Sequence, residues 1–148
     1  MTLLELASRF VGHIQERPGF LDHPFIQWAL SLCGYGFDAA DEVAWCSAVM
    51  NAWAFICGYE MTRSAAARSW LTAGTPTTLE EADGNCVVVL SRGSGPQPGP
   101  EVLAAPGHVV VFEALNGDTL RGVGGNQSNG ISHADWPVSR VLGVRRLS

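Results

Sequence analysis

Residues 43–57 are apolar on almost every side, and this stretch constrains the fold of the chain more than any other. A helix that is apolar all round is stable only when it is buried, because no face of it can be left in water. Gly58 is the expected C-terminal stop, since glycine readily adopts the left-handed conformation that ends many helices. The sequence therefore predicts a central helix enclosed by the rest of the chain.

The remaining pattern predicts helices first and strands afterwards. Apolar spacing predicts three further helices, over 3–16, 24–33 and 64–73. The first of these is expected to end at Pro18, and the last to begin with Ser64 as its N-cap. Beyond Pro76, β-branched runs predict a shorter strand around Ile131 and four main strands, at 86–90, 108–114, 119–123 and 141–146. This order predicts an α+β fold in which N-terminal helices pack on an antiparallel sheet.

Length and charge restrict the kind of protein that the chain can be. Its 148 residues, 47% hydrophobic and 16% charged, predict one globular domain over 1–148, with 1–23 as an N-terminal helical extension. The net charge of −5 argues against nucleic-acid binding. The sequence has neither a signal-peptide pattern nor a long apolar run, so we expect synthesis in the cytoplasm and no stable membrane association.

The four cysteines have no C-x-x-C spacing, which argues against a redox or zinc motif. Cys46 is predicted near the start of the central helix, where free backbone N–H groups stabilise a thiolate and can form an oxyanion hole. Cys57 is expected at the opposite, negative end of the same helix and should be inert. Most of the four cysteines are expected to be small buried residues. Cys46 is therefore the candidate nucleophile.

His108 begins a predicted strand and Asn126 ends the next one, so the two are expected to be neighbours in a hairpin. If the turn is the two-residue Asn116–Gly117, His108 faces Gly125. If the loop also includes Asp118, His108 faces Asn126 directly. In both registers Asn126 can orient the imidazole, which leaves the other ring nitrogen as a base. This nucleophile, base and orienting residue predict a thiol hydrolase.

A family resemblance is carried by six blocks of sequence: Asp41–Ala48, Ala65–Leu71, Val88–Gly93, Gly107–Val109, Gly124–Ser128 and Val141–Arg146. In this order, and over residues 24–147, they resemble a phage-associated, papain-like family of peptidoglycan hydrolases in the CHAP amidase/peptidase group. The resemblance implies a papain-like fold and catalysis by Cys46, His108 and Asn126 without a cofactor. One departure is Gly124, which stands where many relatives have an acidic partner of the histidine.

Several neighbouring side chains are candidates for substrate binding. Trp45 either walls a substrate groove or packs in the core, while Ser47 and Gln127 are predicted to contact substrate. Asp41 and Glu42 either bind a substrate amine or, as we favour, cap the helix. A zinc site of His133 with Cys46 and His108 is not favoured, because no two histidines have a metal-binding spacing. We expect no metal.

The resemblance implies bacterial peptidoglycan as the partner and an amide bond as the target. The negative charge of the chain makes targeting to a teichoic-acid wall less favourable, so we expect action in a Gram-negative periplasm. It fits a phage endolysin released by a holin, or a tail-associated lysin. A toxin delivered by a secretion system, with an inhibitor protein as partner, fits equally well. Two other classes stay open: a non-catalytic module that binds the wall or a protein, and a cysteine-based acyltransferase. The sequence does not distinguish which amide bond is cleaved.

Overall fold

The computed structural model describes residues 1–15, 23–36 and 45–148. Its helices are α1 (Leu3–Ser8), α2 (Pro24–Ser31) and α3 (Cys46–Cys57), with 3₁₀ helices at Ala67–Thr72 and Val138–Arg140. Its strands are β1 (Thr75–Thr77), β2 (Cys86–Ser91), β3 (Gly107–Asn116), β4 (Thr119–Gln127), β5 (Gly130–Pro137) and β6 (Val141–Arg146). The predicted residues Pro18, Asp41 and Glu42 lie outside the described ranges.

The six strands form one antiparallel sheet in the order β1-β6-β2-β3-β4-β5. This confirms the predicted α+β fold, in which the main helices precede an antiparallel sheet. The four main strands and the one around Ile131 are all present. β1 was not predicted because it contains Pro76. Proline is tolerated there because β1 is an edge strand and one of its sides needs no ladder hydrogen bond.

Two predicted helices differ from the structure. The helix over 3–16 is wrong beyond Ser8, because Gly12 adopts a φ of 78° and the chain turns towards β5, where Ile131 N–H donates to the carbonyl of Ile14. The helix over 64–73 is a 3₁₀ helix that begins at Ala67, and Ser64 is not its N-cap. Apolar spacing does not distinguish a helix from a turn that buries the same side chains.

The core of the molecule is built around α3. Nine of its residues are buried, and Gly58 ends it in the left-handed conformation with φ 73° as predicted. The last turn departs from the expectation of complete burial, because Phe55 and Ile56 are 54% and 44% exposed. Leu3 and Leu6 of α1 belong to the same apolar cluster as α3, so the N-terminal segment packs on the central helix.

The two faces of the sheet bury two separate apolar clusters. Val109 and Val111 of β3 pack with α3, whereas Val110 and Phe112 pack with Leu120 on the opposite face. This alternation follows from the strand period of two. Each position of β3 therefore belongs either to the α3 face or to the far face.

Arg68 fastens the long loop over 92–106 to the body of the protein. Its side chain is completely buried, and its guanidinium donates to the backbone carbonyls of Pro98, Gly99, Val102 and Pro106 at 2.8–3.1 Å. A buried cation that is paired only with carbonyl dipoles forms charge-assisted hydrogen bonds, which are stronger than neutral ones. The loop is consequently anchored at both of its halves.

Candidate functional site

Cys46 is the first residue of α3 and is only 2% exposed. Burial is the largest influence on its thiol and raises the pKa, because it disfavours the charged form. The backbone N–H groups of Val109 and Ser47, together with the charge of Arg92, act in the opposite direction. The result is a neutral thiol surrounded by groups that would stabilise a negative charge.

Cys46 and Cys57 were predicted to differ in the reactivity of their thiols, but the pKa values of the two thiols are shifted in the same direction. Burial raises the pKa of the Cys57 thiol as well, and it raises those of Cys86 and of Cys33, the last to about 11. What distinguishes Cys46 is the set of donors at its sulfur: helix N–H groups and the N–H of a residue on β3. Cys46 alone combines a helix N-terminus with a strand amide.

Ser47 and Trp45 are built into the protein beside the thiol. The Ser47 hydroxyl donates to the carbonyl of Ser64 at 2.7 Å and accepts from Nε1 of Trp70 at 2.9 Å, so it ties α3 to the first 3₁₀ helix. Trp45 is fully buried against Gly125, where a Cβ atom would lie 2.7 Å from the indole ring. Both side chains lie within the core around Cys46, which is the alternative that the sequence left open for Trp45.

His108 lies near the start of β3 on the far face of the sheet. It is 3% exposed, and its ring packs 4.9 Å from that of Trp136. Burial lowers the pKa of the imidazole from its ordinary 6.5 to about 4. A hydrogen bond with Gln127 raises it, whereas the charges of Arg92 and Arg140 lower it further. His108 is therefore a neutral imidazole at neutral pH.

The contacts of Gln127 fix the proton of that imidazole. The amide nitrogen of Gln127 donates to the carbonyl of Ser132 at 2.7 Å, so its Oε1 atom is the acceptor of the other bonds. Nε1 of Trp136 and Nε2 of His108 both lie 3.0 Å from this oxygen. Since the oxygen can only accept, Nε2 of His108 carries the hydrogen and Nδ1 has a free lone pair. Nδ1 is thus the basic nitrogen.

The hairpin between β3 and β4 differs from both predictions at its turn. Its turn is Gly117–Asp118, because Asn116 pairs with Thr119, and one additional residue, Glu113, bulges from β3. The turn lies one residue later than the predicted Asn116–Gly117. Together with the bulge it gives the offset of the second predicted register, so that three steps beyond the pair Val111 and Val123 would bring His108 opposite Asn126. The pairing ends before that point.

Asn126 interrupts the end of β4. Its φ is 58°, and the register with β5 shifts between Gly124 and Gln127. Such a bulge redirects the side chains that follow it. Gln127, the next residue, consequently contacts His108, and no hydrogen bond of the Asn126 side chain is found within the described ranges. His108 therefore contacts Gln127 through a hydrogen bond and Trp136 through ring packing.

Cys46 and His108 are linked only through the backbone of β3. The N–H group at the Cys46 sulfur belongs to Val109, the residue directly after His108. The imidazole, however, lies on the far face with Trp136, while the thiol lies on the α3 face. In the part of the chain that the structure describes, no hydrogen bond joins the thiol to the imidazole.

Two arginines of the site were not singled out from the sequence. Arg140 lies with its guanidinium carbon 4.9 Å from the centre of the Trp136 ring and donates to the carbonyl of Ser91. Arg92 is exposed, and its positive charge lowers the pKa of both the thiol and the imidazole. A single arginine in a sequence does not indicate where it lies in the fold. The pairing of β2 with β6 brings Arg92, which follows β2, and Arg140, which precedes β6, to the same end of the sheet.

Over residues 1–15, 23–36 and 45–148, no group of three or more metal-binding side chains could hold an ion. Within the same ranges, no helix is long and apolar enough to cross a bilayer. Neither a protein-family model nor a curated protein matches the chain.

Proposed function

We propose that the protein is a papain-like thiol hydrolase that cleaves an amide bond of bacterial peptidoglycan, with Cys46 as the nucleophile. The position of its thiol supports this function more than any other feature. Sγ of Cys46 lies at the first residue of α3, between helix N–H groups and the N–H that follows His108. The choice of peptidoglycan rests on the sequence blocks that resemble CHAP hydrolases.

In the proposed reaction, Nδ1 of His108 takes the thiol proton and Sγ attacks the amide carbonyl. The N–H groups around Cys46 stabilise the oxyanion, and the leaving amine receives the proton from His108. Water then hydrolyses the thioester: its proton passes to His108 and returns to sulfur, and the carboxylic acid leaves. Gln127, rather than Asn126, holds the imidazole in the resting protein, before substrate binds.

Proton transfer requires the imidazole and the thiol to face each other. His108 follows Gly107 at the start of β3, and a glycine can change its backbone torsions with little steric cost. We therefore include in the proposal a turn of the first residues of β3 when substrate binds, which brings Nδ1 to Sγ. The setting, a phage lysin or a delivered toxin acting on the cell wall, belongs to the same proposal.

The experiment compares wild type, Cys46→Ala and His108→Gln on purified sacculi, with mass spectrometry of the released muropeptides. We expect soluble muropeptides from wild type only, and their masses identify the cleaved bond. Cys57→Ala is the matched control, because it removes a thiol from the other end of α3 and should retain activity. Equal release by wild type and Cys46→Ala would exclude Cys46 as nucleophile.

A second candidate function is supported by the position of His108. A buried imidazole that is bonded to Gln127 and separated from the thiol by the strand also suits a non-catalytic module that binds the wall or a protein. Such a module would bind sacculi in a pelleting assay and release no muropeptides. Its binding would be the same in wild type and Cys46→Ala.

A further inference from the structure

A cleft of about 400 Å³ opens on the Cys46 side of the sheet. Its lining consists of Pro106, Gly107, Arg92 and the alanines at 65–67 and 104–105. A Cβ atom added to Gly107 would contact Ala67 and Arg68, which places this wall on the α3 face. The cleft therefore lies on the same face of the sheet as the thiol.

The contacts of Ser47 connect the cleft with the candidate nucleophile. Ser47, directly after Cys46, donates to the carbonyl of Ser64, and Ala65 follows at the wall of the cleft. The lining is small and apolar except for one charge. A ligand that fills it must therefore combine a small apolar group with a group that a cation binds.

Arg92 supplies that cation. It is exposed at the cleft, and its guanidinium forms no ion pair or hydrogen bond with any residue that the structure describes. The other arginines of this region are occupied, since Arg68 binds four loop carbonyls and Arg140 binds Ser91. Although the chain has a net charge of −5, an unpaired guanidinium beside a cleft attracts anions locally.

We propose that this cleft binds a peptide with a small apolar side chain next to a carboxylate, with Arg92 as the carboxylate ligand. Guanidinium groups match carboxylates in geometry and charge. Alanine followed by an acidic residue is the corresponding chemistry in a peptidoglycan stem peptide. The substrate assignment rests on the proposed hydrolase function, whereas the carboxylate site itself can be measured without turnover.

The binding experiment uses the full chain with Cys46→Ala, so that no turnover occurs. Calorimetry is performed with N-acetyl-alanyl-glutamate and with the same peptide amidated at both carboxylates. We expect Arg92→Gln to weaken binding of the acid roughly tenfold, the loss of one charge-assisted hydrogen bond. Arg92→Lys should retain part of the affinity. The amidated peptide should bind equally weakly to the parent protein and to Arg92→Gln.

Arg9→Gln is the matched control, because Arg9 is an exposed arginine at the end of α1 and should not affect binding. Equal affinity of Arg92→Gln for the acid, or equal affinity of the parent protein for acid and amide, would overturn the carboxylate site. If sacculi are not cleaved but binding depends on Arg92, the hydrolase proposal fails and the site stands. If sacculi are cleaved and Arg92→Gln leaves KM unchanged, the site fails and the hydrolase stands.

Discussion

Nε2 of His108 donates a hydrogen bond to Oε1 of Gln127 over 3.0 Å, and this one contact determines which ring nitrogen is basic. The same oxygen accepts from Nε1 of Trp136. One side-chain amide thereby positions two aromatic rings that pack 4.9 Å apart. The residue that orients His108 is thus one position beyond the asparagine that the sequence indicates.

Gln127→Leu should destabilise the protein, because it leaves a buried donor on His108 and a partly buried donor on Trp136 without an acceptor. The expected loss in the free energy of unfolding is about 2 kcal/mol, measured by urea denaturation.

Asn126→Gly is the matched change at the adjacent position. Asn126 has a φ of 58°, where glycine is at least as favourable, so stability should stay the same or rise by up to about 1 kcal/mol. Activity should be retained. A loss of activity in Asn126→Gly with normal stability would instead favour Asn126 as the orienting residue, as predicted from the sequence.

The stability of the protein should fall in acid because of His108. Its pKa is lowered from 6.5 to about 4 by folding, so between these values the unfolded chain binds the proton and the native protein does not. Unfolding is therefore favoured as pH falls through this window, and the contribution of His108 is complete above 6.5. It amounts to about 3 kcal/mol, measurable by urea denaturation across the window.

The control for this pH dependence is His108→Gln, which has no group that titrates at this position. The difference in the free energy of unfolding between wild type and variant should shrink as pH falls from above 6.5 towards 4, because only wild type loses the contribution of His108. The other titrating groups are common to both proteins and cancel in the comparison. Parallel pH profiles for the two proteins would show that His108 is not buried as a neutral ring.

Much of this fold follows from pattern alone. The all-apolar run up to Cys57 and its glycine stop predict α3, and the β-branched runs predict the sheet, because burial and strand propensity act on adjacent residues. The early end of α1 does not follow from pattern. Ile14 is apolar at a helical position, but it is buried by pairing with β5, which is distant in sequence.

The site is less predictable, because it depends on single-residue shifts in register. The sequence indicates that the ends of β3 and β4 meet, which the structure bears out. It does not reveal the bulge at Glu113 or the left-handed Asn126, which together present Gln127 instead of Asn126 to His108. A shift of one residue moves a side chain to the other face of a strand, and the hydrophobic pattern of the sequence does not predict where such a shift occurs.

Arg68→Lys should release the loop over 92–106. A lysine ammonium cannot reproduce the four bonds that the Arg68 guanidinium makes to loop carbonyls. We expect a loss of roughly 1.5–3 kcal/mol in the free energy of unfolding and faster proteolytic cleavage within the loop. Arg9→Lys, at an exposed position, should change neither measurement; cleavage of the loop at the wild-type rate in Arg68→Lys would contradict the anchoring role.

The resting protein should hold Cys46 as a thiol rather than as a thiolate paired with imidazolium. Burial raises the pKa of Cys46 and lowers that of His108, so at neutral pH both groups are uncharged. The ultraviolet absorbance of the thiolate, taken as wild type minus Cys46→Ser, should therefore emerge only above the ordinary cysteine pKa of 9.0. A thiolate signal at neutral pH that disappears in His108→Gln would reveal an ion pair already formed, and hence an imidazole on the same face as the thiol. Without that signal, the pair can form only once substrate is bound, which is the order of events that a turn at Gly107 requires.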